Sequence, residues 1–519
     1  MVTSITKFNL MPLAAQREPM DLIVIGAGIN GAGVAADAAG RGLKVGLYDA
    51  KDIAGATSSA SSKLIHGGLR YLEQGDFALV ASALAEREVL TKVARHLITP
   101  MRFILPHRPQ LRSAWLIRLG LFLYDHLYWR NSFPRSQQIS ISPLSPLREE
   151  FEIGFEYSDC WVDDARLVIS NALRVRQHQG EVANYCAVTQ IKSCGTGWQL
   201  TLYDQRQQCA ITRHAKVIVN ATGPWVNQLF DQTMLAESGL VKPIKIRLVK
   251  GSHLVVRKMY QGKQAYILQN SDKRIVFVIP YLDDFTLIGT TDVDYQGDPR
   301  RCSLDKDERA YLLNVVNQHF KYSISEQDIV WHFSGVRPLF ASEHSSAQTA
   351  SRDYQIDVSL SKNKAPLLTI YGGKITTYRK LAQRCMEKIE PFFNQPLSQT
   401  PSHWTADTPL PGSTGDLAQL ETELRANYPF LASHLITRYL HQYGQDTKKL
   451  LANMTNQSEL GHHFGHDLYQ REVDYLIEHE WAYQPDDLLW RRTKLGLYLS
   501  QNEQQALALY LFRQTGQVS

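Results

Sequence analysis

A glycine-rich turn near the start of the chain limits the possible folds more than any other feature. Residues 22–25 form an apolar run that leads into Gly26-x-Gly28-x-x-Gly31, and a small-residue helical pattern and a second apolar run follow, ending at Asp49. The glycines permit a tight turn close to a pyrophosphate, the helix N-terminus favours its charge, and the acid accepts a hydrogen bond from a ribose hydroxyl. This order predicts an α/β fold that binds a dinucleotide; the alternative is a glycine turn that serves packing alone.

Two later segments indicate which dinucleotide the chain binds. Residues 217–225 form a strand pattern that ends in a small-residue turn with Ala221 and Gly223, similar to the second motif of flavoproteins. Gly372, Gly373 and Lys374 follow another strand pattern and deliver a helix N-terminus and a cation together, which stabilises an anionic reduced flavin. The pattern favours FAD over NAD; the alternative is a glycine pair that caps a helix beside a surface lysine.

Length and composition narrow the class of protein. The 519 residues are enough for two or three domains, and 44% hydrophobic with 21% charged residues is ordinary for a globular protein. The net charge of +5 suits an anionic substrate or an anionic lipid surface, and no nucleic acid is expected as a partner. The six cysteines form neither a CxxC pair nor a cluster with histidines, so we expect no disulfides and no metal. Without a signal peptide or a long apolar run, we expect a cytoplasmic chain that has no spanning helix.

Seven segments, in family order, resemble the aerobic FAD-linked glycerol-3-phosphate dehydrogenases: residues 57–73, 156–167, 220–225, 250–253, 288–293, 334–339 and 371–380. The resemblance runs from about residue 21 to beyond residue 500. Residues 1–19 have no evident counterpart in the family pattern, and LPGS at 410–413 replaces a more usual LPGG. Neither departure touches the expected chemistry.

The resemblance implies the fold class of glycine oxidase and D-amino-acid oxidase. We expect an FAD-binding Rossmann-like domain, a β-rich substrate domain and a C-terminal all-helical domain. The expected boundaries are a disordered extension at 1–20, a discontinuous FAD-binding domain at 21–90, 150–230 and 353–395, a substrate-binding and membrane-facing domain at 91–149 and 231–352, and a helical domain at 400–519.

The cofactor residues implied by the resemblance extend beyond the glycine turns. Besides Gly26, Gly28, Gly31, Asp49, Ala221, Gly223, Gly372, Gly373 and Lys374, they are Thr57, Ser58, Ser59, Ser62, Lys63, His66, Gly67 and Thr376. We assign His66 to flavin packing rather than to proton transfer.

The implied substrate is glycerol 3-phosphate, which needs fixed cations for its phosphate. Arginine suits phosphate because its planar fork donates two parallel hydrogen bonds. Arg337 and Arg352 are the leading candidates, followed by Arg70 and Tyr71. Oxidation of a secondary alcohol also needs a proton acceptor, for which His253 is the first choice, and Lys374 would stabilise charge at the flavin.

Residues 108–130 combine apolar and aromatic bulk with several arginines. Arg118 and Asp125 interrupt this run too early for a membrane span, so the pattern favours a helix that lies at headgroup level on an anionic lipid surface. The alternative is a core helix with arginines at its rim. Residues 488–499 form a second basic and apolar stretch, for which an ordinary domain helix is the favoured interpretation.

The resemblance implies a membrane quinone as the electron acceptor, and hence peripheral attachment to the inner face of the cytoplasmic membrane. One rival is an FAD-dependent oxidase of glycerol 3-phosphate or of an amine, which reduces oxygen. A second rival is a non-enzymatic flavin-bearing redox module. The oligomeric state stays open, with a homodimer as one option.

Overall fold

The computed structural model describes residue 13 and residues 18–233, 235–240, 244–272, 274–340, 353–393, 397 and 400–516. Most of the extension predicted at 1–20 lies outside these residues, and Met20 already belongs to the first strand. Arg352, a predicted phosphate ligand, also lies outside them.

The strands of the described residues are, in chain order, β1 (Met20–Ile25), β2 (Val45–Tyr48), β3 (Leu64–Ile65), β4 (Ile98–Pro106), β5 (Gln137–Ser140), β6 (Ile153–Val162), β7 (Glu181–Ala183), β8 (Cys186–Cys194), β9 (Gly197–Asp204), β10 (Cys209–Asn220), β11 (Ile246–Arg257), β12 (Ala265–Gln269), β13 (Ile275–Tyr281), β14 (Phe285–Gly289), β15 (Val293–Asp294), β16 (Ile329–Phe340), β17 (Gln355–Leu360), β18 (Pro366–Tyr371), β19 (His463–Gly465) and β20 (Leu468–Tyr469).

The α-helices of the described residues are α1 (Ile29–Gly40), α2 (Phe77–Val93), α3 (Ala114–His126), α4 (Asp164–Gln177), α5 (Val226–Gln232), α6 (Lys306–Asn317), α7 (Tyr378–Ile389), α8 (Trp404–Asp407), α9 (Leu417–Asn427), α10 (Ser433–Tyr443), α11 (Thr447–Leu450), α12 (Gln470–Glu480) and α13 (Gln501–Thr515). Short 3₁₀ helices span Thr57–Ser59, Leu69–Gln74 and Ile375–Thr377, and a π-helix spans Asp487–Arg492.

The first sheet is the nucleotide-binding sheet. Its main path is β17-β18-β10-β1-β2-β7, with β18, β10, β1, β2 and β7 parallel. Helix α1 packs against α4 and α7. The small residues of α1 let α7 approach closely, because a Cβ at Gly33 would lie only 2.7 Å from the ring of Tyr378 in α7. The carboxyl ends of adjacent parallel strands therefore meet at one edge, where such folds bind nucleotides.

The second sheet follows the path β15-β11-β14-β13-β12-β4-β6-β3, with β16 added beside β11. Antiparallel pairing places His253 opposite Phe333 and Val249 opposite Arg337. Because side chains alternate along a strand, Gly251, His253, Phe333 and Arg337 share one face, which we call the cleft face. The other face packs its apolar residues against α6.

The C-terminal domain is helical apart from the small hairpin β19–β20. Its π-helix ends in arginines that pair with Asp52, in the loop after β2: the carboxylate contacts Nε of Arg491 at 2.5 Å and also pairs with Arg492. Lys494 pairs with Asp163, the N-cap of α4. These ion pairs tie the C-terminal domain to the nucleotide-binding domain.

The strand pairing divides the chain differently from the predicted domain boundaries. Strand β6 lies within the segment 150–230 that was assigned to the FAD-binding domain, yet it pairs with β4 and β5 in the second sheet. The chain returns to the nucleotide-binding domain only at α4. The reason is that β6 pairs with β4 along the whole length of β4, from Ile98 opposite Val162 to Pro106 opposite Gly154.

Candidate active site

The glycine-rich turn brings the ends of β1 and β10 against the start of α1. Gly26 has a φ of +102°, and a Cβ there would lie 2.6 Å from the carbonyl oxygen of Ala221. A Cβ at Gly31 would overlap the carbonyl oxygen of Gly26. Gly28 is the N-cap of α1, and a Cβ there would lie 3.1 Å from the Ser58 hydroxyl. The turn thus presents the N-terminus of α1 in the geometry that binds a pyrophosphate.

Asp49 and Ser58 hold this turn from two sides. The Asp49 carboxylate accepts from the backbone N–H of Ala27 at 2.7 Å and of Lys51 at 2.8 Å. The Ser58 hydroxyl accepts from the backbone N–H of Ile29 at 2.9 Å. Burial raises the pKa of Asp49 to about 6, although the two backbone donors act against this rise. Both predicted residues therefore belong to the nucleotide turn.

The turn of Gly372, Gly373 and Lys374 follows strand β18 rather than a helix. The two glycines have φ values of +72° and +101°. Nδ2 of Asn30, in α1, donates to the carbonyl of Gly372 at 2.9 Å. The alternative that this pair caps a helix C-terminus is therefore wrong, because the pair brings Lys374 to the start of the 3₁₀ helix beside α1. Sequence reasoning missed Asn30, whose position inside the glycine motif was the signal for it.

Lys374 contacts one of the predicted substrate residues, Tyr71. Its ammonium lies 3.7 Å from the centroid of the Tyr71 ring, within cation–π distance. Tyr71 and the half-buried Arg70 belong to the 3₁₀ helix Leu69–Gln74. Gly68 precedes this helix with a φ of +82°, and a Cβ there would overlap the Tyr71 ring. The structure thus brings Tyr71 and Lys374 together, and Arg70 precedes Tyr71 in the same 3₁₀ helix.

His66 and Gly67 connect the nucleotide-binding domain to the second sheet. The Thr376 hydroxyl lies 3.4 Å from both the backbone nitrogen and the carbonyl oxygen of His66. The His66 ring meets Phe277 edge-on, with centroids 6.4 Å apart. The backbone N–H of Gly67 donates to the Tyr124 hydroxyl of α3 at 2.8 Å. These are the contacts of a packing residue and its neighbour.

Arg337 lies on the cleft face above a glycine. Its guanidinium pairs with Asp292 and donates to the Thr290 hydroxyl at 3.1 Å. A Cβ at Gly251 would lie 2.7 Å from Nη2 of Arg337, so the absence of a side chain there makes room for the guanidinium. The side chain keeps 24% exposure and can reach a ligand in the cleft. Sequence reasoning missed Thr290 and Asp292 as its partners, although both lie in the segment 288–293.

His253 is the most deeply buried of the predicted catalytic residues. Its ring stacks on Phe333, with centroids 4.7 Å apart, and a Cβ at Gly289 would overlap it. Its Nε2 is 2.9 Å from the Ser62 hydroxyl. Burial, followed by the positive charges of Arg337 and Lys63, holds the pKa of His253 well below its ordinary value. The imidazole is therefore neutral.

The loop of residues 57–63 lies between the two sheets. The Thr57 hydroxyl donates to the carbonyl of Val336 in β16 at 2.6 Å. The Ser59 hydroxyl donates within the loop, to the carbonyl of Ala56 at 3.2 Å. The Lys63 ammonium pairs with Asp164 at 2.8 Å, with both side chains buried. Lys63, predicted as a cofactor residue, is thus held in the loop by a buried ion pair. Sequence reasoning missed Asp164.

A buried polar network fixes β11 from the opposite face. The Ser252 hydroxyl donates to Glu308 at 3.0 Å, and the Thr291 hydroxyl donates to the same carboxylate at 2.6 Å. The Lys250 ammonium pairs with Glu308 at 2.9 Å. The strand that carries His253 is therefore held by ion pairs behind it, independently of the cleft.

Helix α3 turns a row of apolar side chains outward. Trp115, Leu119 and Phe122 are 66%, 47% and 57% exposed, and Trp129 beyond the helix is 80% exposed. The helix buries Ile117, Leu121 and Tyr124 instead. The alternative of a core helix is therefore wrong for this face, which we call the α3 stripe (Trp115, Leu116, Leu119, Phe122 and Trp129). In the described part of the chain, no helix combines the length and apolarity that crossing a bilayer requires.

The second basic stretch, residues 488–499, has a different role. Leu488 and Leu489 are buried, and Arg491, Arg492 and Lys494 are used in the ion pairs with Asp52, Asp163 and Asp487. These buried and paired side chains fit the favoured interpretation, an ordinary helical segment of the C-terminal domain, better than a second membrane-binding surface.

The nucleotide turns fit a bound FAD. The turns at Gly26, Ala221 and Gly373 come from distant parts of the chain and meet at the start of α1: a Cβ at Gly26 would lie 2.6 Å from the carbonyl oxygen of Ala221, and a Cβ at Gly373 would lie 2.8 Å from Nδ2 of Asn30. The positive end of α1 suits a pyrophosphate, Asp49 suits a ribose hydroxyl, and Lys374 adds a cation beside Tyr71. Gly223, with a φ of +57°, continues the turn after β10.

Comparison with known families agrees with this fit. Residues 21–379 match the family described as FAD dependent oxidoreductase. Residues 403–510 match the C-terminal domain of alpha-glycerophosphate oxidase. Together these two matches account for most of the chain, and the predicted cofactor FAD and the predicted fold class are confirmed.

Three similar proteins illustrate the range of the family. The aerobic glycerol-3-phosphate dehydrogenase of Escherichia coli is 51% identical over 96% of this chain and 99% of its own length. The D-erythritol 1-phosphate dehydrogenase of Brucella abortus is 44% identical over 95% of this chain and 97% of its own length. The solved structure of the glycerol-3-phosphate dehydrogenase from Bacillus halodurans with FAD has a TM-score of 0.72, 25% identity and 97% coverage of both chains.

Proposed function

Because the chain belongs to the family of FAD-dependent glycerol-3-phosphate dehydrogenases, we propose that it oxidises sn-glycerol 3-phosphate to dihydroxyacetone phosphate and passes the electrons to a membrane quinone. One observation carries the choice of substrate. The Arg337 guanidinium and the His253 ring lie on the same face of one sheet, opposite the loop of the nucleotide-binding domain that carries Ser62.

Arg337 binds the phosphate of the substrate. Its partial exposure leaves the guanidinium able to donate to a second anion besides Asp292, and charge-assisted hydrogen bonds of this kind are the strong ones. Arg70 and the segment that carries Arg352 are further sources of positive charge. An unphosphorylated polyol has no anionic group for Arg337 to bind, so it should be a poor substrate.

His253 is the acceptor for the hydroxyl proton, and Lys374 supplies a fixed positive charge beside the cofactor. FAD, when bound, supplies the two-electron acceptor that takes a hydride from C2 of the substrate. The neutral state of His253 fits this role, because a proton acceptor must be unprotonated when the substrate arrives. The position of Lys374 over Tyr71 supports its role as a fixed charge.

The α3 stripe attaches the protein to the inner face of the cytoplasmic membrane. Trp115 and Phe122 are bulky and exposed, and Arg118 and Arg130 beside them are exposed cations. Aromatic and apolar groups with flanking arginines suit a helix that lies at the level of anionic headgroups. Such attachment would bring the flavin site close to a quinone dissolved in the bilayer.

The alternatives to this proposal are another phosphorylated substrate, oxygen as the electron acceptor, an amine substrate and a non-enzymatic role. The Brucella relative acts, by its name, on D-erythritol 1-phosphate, which presents the same phosphate beside a longer polyol. An oxidase would use oxygen, and an amine oxidase would need no phosphate site. The non-enzymatic alternative gives no reason for Arg337 and His253 to share the cleft face.

The decisive experiment is anaerobic mixing of the FAD-loaded protein with each substrate while the flavin absorbance is followed. We expect rapid bleaching with glycerol 3-phosphate, slower bleaching with D-erythritol 1-phosphate, and little with glycerol or an amine. Reoxidation should then be faster with a quinone analogue than with oxygen. Equal reduction by glycerol and glycerol 3-phosphate would contradict the substrate, and faster reoxidation by oxygen would contradict the acceptor.

A further inference from the structure

His253 lies behind a serine hydroxyl. His253 is 1% exposed, and its Nδ1 is buried without a hydrogen-bond partner among the described residues. Its Nε2 is 2.9 Å from Oγ of Ser62, which is only half-buried. A substrate in the cleft therefore meets the Ser62 hydroxyl before it meets the imidazole.

We propose that Ser62 is a catalytic residue that relays the proton of the substrate hydroxyl to His253. This inference rests on the proposed function, because it requires a substrate that is oxidised at a carbinol carbon. The substrate O–H proton passes to Oγ of Ser62, the proton of Ser62 passes to Nε2 of His253, and the C2 hydride leaves to the FAD of the proposed function. A carbonyl and an imidazolium result, and the serine is regenerated. The proton returns to solvent through the same hydroxyl after the product leaves.

Ser62 lies midway along the predicted nucleotide site. Ser58, four residues earlier, bonds to the first turn of α1, where the pyrophosphate is expected. His66, four residues later, contacts Thr376 next to Lys374, where the flavin end is expected. The loop therefore follows the cofactor site from end to end and presents Ser62 between its two ends.

The spacing between Ser62 and Arg337 fits a three-carbon phosphate. The Arg337 guanidinium lies over Gly251, two residues before His253 on the same face of β11. Two residues of an extended strand correspond to about 7 Å. A substrate whose phosphate is bound at Arg337 can therefore place its central hydroxyl at Ser62.

The loop is fixed on both sides of Ser62. The Asp164 carboxylate accepts from the Ser61 hydroxyl at 2.7 Å and from the Lys63 ammonium at 2.8 Å. The Thr57 hydroxyl ties the start of the loop to β16. The backbone at Ser62 therefore cannot move away from His253 without disturbing a buried ion pair. Such support by neighbouring groups is what holds a proton-transfer geometry in place.

The groups around His253 keep its ring neutral before the reaction. Lys63 faces it from the loop and Arg337 from β16, each paired with an aspartate, Asp164 and Asp292 respectively, while β14 presents a glycine. Burial and these two cations hold the pKa of His253 well below its ordinary value. Even a weak base suffices here, because hydride loss turns the alcohol into a protonated carbonyl, a strong acid. The relay should therefore work at a rate independent of pH around neutrality.

The test is single-turnover flavin reduction in the holoenzyme by glycerol 3-phosphate at several pH values. Ser62→Ala should retain FAD and substrate affinity but reduce the flavin about a hundredfold more slowly, the usual scale of general-base loss. Its rate should rise with pH, as hydroxide replaces the relay, while the wild-type rate stays flat. Ser62→Thr keeps a hydroxyl and should restore the flat profile. Failure of the wild type to be reduced at all would count against the proposed function instead.

A double-mutant cycle separates the relay from direct proton transfer to His253. In a relay, Ser62→Ala/His253→Gln should be no slower than the slower single variant, because both remove the same step. If the rate losses of the two single variants multiply in the double variant, the relay is overturned. Ser61→Ala is the matched control, since it removes the neighbouring hydroxyl and loosens the loop; a pH-dependent rate in Ser61→Ala would show that loop mobility alone explains the profile and would also overturn the proposal.

A second measurement does not depend on turnover. In protein labelled with ¹⁵N-histidine, the ring signals of His253, assigned by their loss in His253→Gln, report which nitrogen carries the proton. The relay requires Nε2 to accept from Ser62 in the wild type and to lose that hydrogen bond in Ser62→Ala. A wild-type ring protonated at Nε2 would contradict the relay.

Discussion

Glycines on the cleft face determine where the functional side chains can lie. A Cβ at Gly289 would overlap the His253 ring, and a Cβ at Gly251 would lie 2.7 Å from the Arg337 guanidinium. Neither position has a positive φ, so the reason for glycine is space rather than backbone conformation. At the scale of single residues, the site is therefore shaped as much by missing side chains as by those present.

Replacing Arg337 by alanine should weaken the use of glycerol 3-phosphate severely. The bound phosphate would lose a charge-assisted partner worth about 2–4 kcal/mol, which corresponds to a loss of tens to hundreds of fold in kcat/KM. FAD content should not change. Steady-state kinetics with glycerol 3-phosphate and an artificial acceptor measure the effect.

Arg274→Ala is the matched control for this loss. Arg274 directly precedes β13 of the second sheet and pairs with Asp272, and its guanidinium lies 3.8 Å from the centroid of the Tyr311 ring, on the side of α6. Its kinetics should match the wild type. Similar losses in both variants would mean that the arginine effect is structural, and the assignment of the phosphate to Arg337 would fail.

Ser413, the residue that departs from the family pattern, has a structural role. Its buried hydroxyl is 2.7 Å from Nδ1 of His96, and burial lowers the pKa of that histidine to about 3. Ser413→Ala would leave a buried ring nitrogen without its partner, so the free energy of unfolding should fall by about 1–3 kcal/mol. Denaturant titration measures this fall. Ser458→Ala, which removes an exposed hydroxyl, should change it by less than about 0.5 kcal/mol.

Residues of the candidate site that belong to a local sequence motif were predictable. Residues that reach the site only through a contact with a distant part of the chain were not. Gly26 and Gly31 were identified because a strand, a turn and a helix surround them in the sequence. Asn30 and Asp164 were missed because their partners, the carbonyl of Gly372 and the Lys63 ammonium, are separated from them by 342 and 101 residues. Contacts across such separations depend on the tertiary fold, which no local pattern contains.

At the scale of elements, α3 shows how one helix faces two environments. On its inner face, the Tyr124 hydroxyl accepts a hydrogen bond from the backbone N–H of Gly67 and donates to Asp159 at 2.7 Å. Its outer face carries the α3 stripe. The composition of residues 108–130 predicted an amphipathic helix, and the orientation of the helix follows from the burial of Ile117 and Leu121.

Polar substitution of the α3 stripe should abolish membrane binding without affecting the flavin. The triple variant Trp115→Ser/Leu119→Ser/Phe122→Ser removes apolar surface that is already exposed, so folding should be little changed. Cosedimentation with anionic phospholipid vesicles should fall at least tenfold, while anaerobic reduction by glycerol 3-phosphate keeps the wild-type rate.

Leu509→Ser/Phe512→Ser provides the comparison, because both residues are exposed on α13, at 60% and 46%. This variant should bind vesicles as the wild type does. If it lost binding and the α3 variant kept it, the membrane-facing surface would have to be assigned to the C-terminal domain.

The arrangement of elements was predictable from periodicity only in part. The βαβ unit at the start and the helical C-terminal domain follow from local patterns, and the predicted fold class is confirmed. The pairing of β6 with β4 was not foreseen, because an alternating strand pattern does not specify its neighbour. The switch between the two sheets therefore falls at α4 rather than at residue 150.

At the scale of the whole molecule, buried ion pairs hold the C-terminal domain against the nucleotide-binding domain. Asp52 pairs with Arg491 and Arg492 and accepts from Nδ2 of Asn184 at 2.9 Å. Arg166, in α4, pairs with Glu480, in α12, with both side chains buried. Since Asp52 follows Asp49 in the same loop, the C-terminal domain supports the nucleotide site directly.

Asp52→Ala should destabilise the protein and loosen its cofactor. Removing one partner of a buried ion pair leaves uncompensated charge and costs about 3–5 kcal/mol. We expect a lower free energy of unfolding and a higher Kd for FAD, measured by denaturant titration and by the fluorescence of released flavin. Glu423→Ala, which breaks the exposed pair with Lys448, should leave both the free energy of unfolding and the Kd for FAD close to the wild-type values. Equal effects in the two variants would contradict a special role for the buried pairs.

The ion pairs with Asp52 and Asp163 also determine the order of folding events during biosynthesis. Both aspartates are translated well before the cations that pair with them: Arg492 lies 440 residues after Asp52, and Lys494 lies 331 residues after Asp163. Domains generally fold from the N-terminal end during synthesis. The carboxylates of Asp52 and Asp163 therefore stay without these partners until the C-terminal domain has been synthesised, and stable flavin binding should follow that step.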